Sequence, residues 1–124
     1  MIHTGRDAAL AWHREGLASF VLLHAGDGND AAVTVTWVDS EPGTAQPLHK
    51  HEHQQAYIVA RGAGRMEVDG EQRDVAAGDL VFMPPGAMHS LANTGDEPLS
   101  YITVAHPAFE IYRDEETSAL RVRT

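Results

Sequence analysis

Gly43-Thr44-Ala45-Gln46-Pro47-Leu48-His49-Lys50-His51-Glu52-His53-Gln54-Gln55, running on through Ala56-Tyr57-Ile58-Val59-Ala60-Arg61-Gly62, is the stretch whose reading decides the fold. Of the eight histidines in the chain, three stand here at alternate positions, 49, 51 and 53. In an extended strand, residues i and i+2 face one side about 6.8 Å apart. His49 and His51 can therefore aim two imidazoles at one point, as strand-borne metal sites do. Gln55 has the same parity, but a straight strand would carry it about 20 Å from His49. Metal–ligand bonds are about 2 Å long. The chain must turn between His51 and Gln55 if the glutamine shares the ion.

A second stretch answers the first. Gly78-Asp79-Leu80-Val81-Phe82-Met83-Pro84-Pro85-Gly86-Ala87-Met88-His89-Ser90-Leu91-Ala92-Asn93 reads as a strand, a Pro/Gly bend, and another strand beginning at His89. Taken together, the two stretches resemble the motifs of the cupins. The first cupin motif has a glycine, an H-x-H pair, a glutamate and a second glycine. Gly43, His49, His51 and Gly62 match it, with Gln55 where the family usually has glutamate. Gly78, Pro84, Gly86, His89 and Asn93 match the second motif throughout. Residues 63–77 separate the two, similar to the compact microbial members. The resemblance implies an all-β cupin double-stranded β-helix, a small jelly-roll barrel. It also implies a divalent metal held by His49, His51, Gln55 and His89, with His89 arriving from the opposite sheet.

Composition narrows the rest. A chain of 124 residues and 13.5 kDa is expected to form one domain, burying about two thirds of its unfolded surface. The core motifs occupy 43–93, with 1–17 and 108–124 as flanking arms. Nine basic residues against eighteen acidic ones give a formal charge of −9. That balance argues against nucleic acid, whose phosphates need a basic footprint. Cysteine is absent, which removes disulfides and thiolate metal sites. The longest apolar runs, 21–23 and 80–83, are far too short to span a bilayer. The first ten residues lack an apolar signal core, so a cytoplasmic location is expected.

Strand signals recur along the chain. Residues 5–15 read as a short helical turn, with Thr4 and Asp7 as a loose capping pair. Residues 19–24 read as a strand ending in a turn at 26–30. Residues 31–38 alternate, with Val33, Val35 and Trp37 as the apolar side. Residues 55–60 are apolar on both faces, as for a strand covered twice. Asp69-Gly70 supplies the positive φ angles of a tight hairpin turn between 65–68 and 71–75. Residues 99–104 form the last clear strand, and 110–124 read as a short helix or an arm on a partner subunit. Many short strands with regular turn signals argue a β-barrel or sandwich independently of the resemblance.

The candidate site follows from side-chain chemistry. Each neutral imidazole offers one nitrogen to a cation while a neighbour holds the other. Gln55 offers only a neutral carbonyl oxygen, so three imidazoles and an amide leave the cation's charge uncompensated. Such a centre favours anionic ligands; if Gln55 stands aside, three histidines remain. His53 reads as pocket lining or a catalytic proton carrier, since a fifth protein ligand would close the site. Trp37, Tyr57, Met83, Met88, Leu91 and Tyr101 are candidates for the pocket wall, or for ordinary core. Without sulfur ligands, Mn, Fe, Ni, Co and Zn all suit the set.

Two functional classes fit. One is a metal-dependent enzyme acting on a small oxygenated metabolite, by isomerase, lyase or dioxygenase chemistry. Glutamine in place of glutamate is similar to cupins that open sugar rings in uronate breakdown. The other is a non-catalytic cupin that binds or senses a small molecule. The resemblance also implies a homodimer.

Overall fold

Glycine and proline cut the chain into extended runs too short to fold alone, so the runs must pair. In a computed structural model, which describes residues 1–26, 29–118 and 120–123, they do so almost throughout. The strands are β1 Leu10–Arg14, β2 Leu17–Leu23, β3 Thr34–Ser40, β4 Gln54–Arg61, β5 Ala63–Val68 and β6 Glu71–Ala76. They continue as β7 Leu80–Met83, β8 His89–Ala92, β9 Leu99–His106, β10 Glu110–Arg113 and β11 Leu120–Arg123. A six-stranded antiparallel sheet has the order β1-β2-β3-β9-β4-β7, and a three-stranded sheet the order β6-β5-β8. A separate two-stranded sheet joins β10 and β11. The fold is all-β, a double-sheet jelly roll.

The main core lies between the two larger sheets. Val38, Tyr57, Val59, Met83, Leu99 and Tyr101 enter it from one sheet, and Met66, Val75 and Leu91 from the other. The crossing from β5 to β6 is the expected hairpin: Asp69 (φ 48°) and Gly70 (φ 84°) both adopt positive φ. A satellite cluster of Val21, Ala105, Phe109 and Ile111, with Leu10 and Trp12 against it, seats the C-terminal segment on the six-stranded sheet.

Several local expectations are corrected. Only Arg6–Ala8 forms a 3-10 turn, capped by no side chain. The residues after it form β1, which folds onto β2 through a turn at Glu15 and Gly16, both with positive φ. In β3 the face is reversed: Thr34, Val38 and Ser40 are buried, whereas Val35 and Trp37 are half-buried on the outer side. Strand β4 is covered once, since Gln55, Tyr57 and Val59 are buried and Ile58 and Ala60 are exposed. The C-terminal stretch is a β-hairpin, not a helix. Asp27 and Gly28, at the centre of the expected 26–30 turn, and Ala119 and Thr124 in the C-terminal arm lie outside the described residues.

Asn93, last residue of the second motif, ties the β8–β9 loop to β3. Its buried amide nitrogen donates to the Ser40 carbonyl (2.9 Å) and the Glu97 carbonyl (2.8 Å), and its oxygen accepts from Gly95 N–H (3.0 Å). Asn93→Ala leaves buried polar groups unpaired, each costing about 1–3 kcal/mol. A loss of about 2 kcal/mol is the expected outcome, measured by urea unfolding.

Candidate metal centre

The bridge between His49 and His89 is what builds the site. Segment 45–49 runs beside β8, with isolated bridges at Ala45–Ala92 and His49–His89. His49 N–H donates to the His89 carbonyl (3.1 Å), and His89 N–H to the His49 carbonyl (2.7 Å). The two histidines are therefore neighbours on one sheet edge, not delivered from opposite sheets as expected. The Pro/Gly bend is fastened to the first motif as well, since Gly86 N–H donates to the His51 carbonyl (2.7 Å). The chain then bends at residues 52–53 and enters β4 in the other sheet. There Gln55 pairs with Met83 on one side and Ala105 on the other. Gln55 thus lies in the sheet opposite the one that carries His89.

This path gathers three imidazoles. One nitrogen from each of His49, His51 and His89 lies within 4.8 Å of the others. Ring centroids are 4.2 Å apart for His49–His89, 5.1 Å for His49–His51 and 6.0 Å for His51–His89. Nδ1 of His49 lies 2.7 Å from the Pro47 carbonyl, and Nδ1 of His89 lies 2.9 Å from the Ala87 carbonyl. A carbonyl only accepts, so both Nδ1 atoms carry hydrogen, which in the neutral tautomer leaves Nε2 as the lone-pair donor. His89 Nε2 is buried with no hydrogen-bond partner, and so is Gln55 Oε1. Leaving such atoms unpaired costs about 1–3 kcal/mol each. The three imidazole donors that converge in this way suit a cation, and Gln55 Oε1 is a further buried, unpaired donor.

Electrostatics keep the donors available. Burial, reinforced by His49, His89 and His53, lowers the His51 pKa to about 4. Burial also lowers that of His89, against the opposing effect of the Ala87 carbonyl. Both imidazoles are neutral near pH 7, as ligation requires.

The cupin domain profile matches residues 36–105, which is more than half of the chain. The chain belongs to the cupin family. Its relatives include an oxalate-binding protein of Thermotoga maritima, 36% identical over 64 residues, which are 51% of this chain and 53% of that protein. A gentisate 1,2-dioxygenase of Aquipseudomonas alcaligenes is 36% identical over 62 residues, 49% of this chain but 18% of that protein. This cupin thus spans about half the length of the first relative and far less of the second. Among solved structures, a cupin 2 conserved barrel domain protein from Salinispora arenicola superposes with a TM-score of 0.73 at 26% identity. The match covers 86% of this cupin and 88% of that chain.

The surrounding wall differs from the sequence reading in particular places. Tyr57 is buried beside the triad, with its ring edge-on to His89 at 5.7 Å. Its hydroxyl meets the Gln46 amide, 3.1 Å from Nε2 and 3.3 Å from Oε1. Burial raises its pKa to about 12, the Gln46 hydrogen bond opposing. Tyr101 stacks on Tyr57 at 5.3 Å, and its buried hydroxyl lacks a partner. Met83 and Leu91 are fully buried members of the core. Met88 is half-buried, its N–H held by Asp69 Oδ1 at 2.8 Å.

Trp37 does not face the interior. Its indole N–H donates to Asp39 Oδ1 (2.8 Å) on the outer face, and the Arg6 guanidinium lies over its ring at 5.6 Å. The apolar run that suggested an inward face instead covers the outside of the sheet.

His53 sits in the bend, half-buried, with Nδ1 buried and unpartnered. Phe109 packs against it at 4.1 Å between ring centroids, and against His51 at 5.0 Å. Sequence reasoning missed Phe109. A lone aromatic after the last clear strand carries no motif or periodicity that could have flagged it.

Proposed function

We propose that this cupin holds one divalent cation per chain through His49, His51, His89 and Gln55, and acts on a small anionic, oxygen-rich metabolite. The observation that carries this reading is the convergence of three imidazole nitrogens within 4.8 Å, with Nε2 of His89 and Oε1 of Gln55 buried and unpaired. When bound, the cation would supply Lewis acidity toward the ligand's oxygens. The chain's own work is orientation and charge. Pro47 and Ala87 fix the imidazole tautomers, and Gln55 brings an amide in place of a carboxylate, so the ligand must balance the charge. His53, with its buried free nitrogen, is suited to carry a proton to or from that ligand. Mn, Fe, Ni, Co and Zn all suit nitrogen and oxygen donors, and affinity order favours Ni or Zn in a purified sample.

Within this reading the neutral donor set favours isomerase or lyase chemistry on a hydroxy acid or sugar acid, ring opening included. The likeness to a gentisate dioxygenase keeps an oxygenase in view, and oxygen consumption separates the two. A non-catalytic binding role is the second reading, supported by likeness to a protein named for binding oxalate. Absence of turnover across a panel of hydroxy acids, with oxalate still bound, would favour it. Native mass spectrometry is expected to find about one divalent ion per chain. Chelation tests the same point thermally. At a cation concentration of about 100 Kd, binding stabilises by about 2.7 kcal/mol, so chelator is expected to lower Tm by roughly 10 °C. An unchanged melt and no ion in the native spectrum would refute the metal reading.

The same proposal includes a homodimer. On the outer face of the six-stranded sheet, strand register aligns Trp37, Ile102, Ile58 and Leu80 across β3, β9, β4 and β7. Val35, Val104, Ala56 and Phe82 form the next row. Leu80 is 60% and Phe82 53% exposed, in a continuous apolar face of the kind that marks an association surface. Leu80→Asp with Phe82→Asp is expected to convert a dimer to a monomer in light scattering, at unchanged metal content. A wild-type monomer would end this part of the proposal.

A further inference from the structure

The C-terminal segment contributes a wall that the cupin motifs do not encode. After β9 the chain passes His106 and Pro107 and places Phe109 against the six-stranded sheet, where it is 9% exposed. Its backbone is clamped by one buried side chain: Phe109 N–H donates to Thr34 Oγ1 (2.7 Å), and Thr34 Oγ1 donates to the Phe109 carbonyl (3.3 Å). Thr34 is itself 3% exposed, at the first position of β3. The backbone that carries the ring is therefore fixed, and the ring reaches His51 at 5.0 Å and His53 at 4.1 Å between centroids. The interior side of the triad is already filled, by Tyr57 against His89 and Tyr101 behind it. Phe109 and His53, whose buried Nδ1 has no partner, both pack against His51, the half-buried member of the triad.

We propose that Phe109 is a specificity-determining residue that sets the width of the acid this site accepts, favouring short acids such as oxalate over acids that carry a rigid aromatic ring. The inference rests on the metal-site reading above. It differs from that reading in its residue, because Phe109 offers no donor atom. Its ring limits volume through packing: Thr34 anchors the backbone that carries it, and the ring packs with Val21, Ala105 and Ile111. A rigid wall of this kind discriminates by shape, as close-packed interiors do.

The test uses the full chain loaded with Ni, with oxalate and salicylate (2-hydroxybenzoate) as probes in titration calorimetry. Two variants act in opposite directions. Phe109→Leu keeps an apolar side chain over the sheet but removes the ring, and Phe109→Trp enlarges it. In wild type, oxalate is expected to bind at least tenfold more tightly than salicylate. Phe109→Leu should cut that preference at least tenfold through a gain in salicylate affinity, and Phe109→Trp should widen it. Metal content should stay at the wild-type level in both variants. An unchanged preference in a folded, metal-loaded variant overturns the inference and leaves the metal reading intact. Loss of the ion from folded Phe109→Leu also overturns it, since the ring would then serve to hold His51. Failure of wild type to bind either probe, or a preference for salicylate, overturns this inference; failure to retain Ni overturns the metal reading beneath it.

Discussion

Replacing His51 by alanine is expected to weaken divalent-cation binding by a factor of 100 to 1000 while the chain still folds. Structural zinc sites bind with about 10–16 kcal/mol shared over four ligands, or about 2.5–4 kcal/mol each. At 1.4 kcal/mol per decade, that is two to three orders of magnitude. His51 suits the test because its side chain is only half-buried, so alanine there opens no large cavity. Its backbone carbonyl, which accepts from Gly86 N–H, survives the change. Gln55→Ala should cost less, since a neutral amide is a weaker donor than an imidazole. The measurement is metal stoichiometry by native mass spectrometry, beside a melt with and without chelator. In His51→Ala the chelator should no longer move Tm. Full metal content in that variant would dismantle the ligand assignment.

The second large effect is expected at Gly62. This glycine has φ 82°, and a Cβ built on it would lie 2.5 Å from the Pro98 carbonyl oxygen and 3.1 Å from Leu99 Cα. Leu99 is fully buried, so the neighbouring backbone has nowhere to yield. Gly62→Ala adds left-handed strain of about 1–2 kcal/mol to an overpacking cost of about 1–3 kcal/mol. A net loss near 3 kcal/mol, or roughly 10 °C in Tm, is expected. Gly43 is the control: its φ is 81°, but nothing lies within 4 Å of its added Cβ. Gly43→Ala should show only the strain. Equal losses in the two variants would remove the close-approach explanation.

These two sites show what was legible in the sequence. Both motif glycines were recognisable by position, yet nothing in the residue string distinguishes Gly62, pressed on Pro98, from Gly43 in open space. The alternation of His49 and His51 and the fixed distance from Pro84 to His89 were readable because they are local. Which sheet each histidine joins was not, because that depends on the pairing of segment 45–49 with β8. Strand β3 was read inside out for a similar reason. Val35 and Trp37 are its larger apolar residues, but they serve an outer sheet face that is itself apolar, while Thr34 and Ser40 turn inward. Residues 5–15 have few strand formers and took their pairing from β2. At the other end, Phe109 and Ile111 are too sparse to show a period before β10 and β11 meet.

The paired amides of His49 and His89 have a kinetic consequence. Two of the three imidazoles are neighbours because segment 45–49 pairs with β8 through the His49–His89 bridge. On the metal reading proposed above, each opening of that ladder would separate two of the three donors and so speed the loss of a bound ion. Ion off-rate and amide exchange at positions 49 and 89 become two clocks for one opening event.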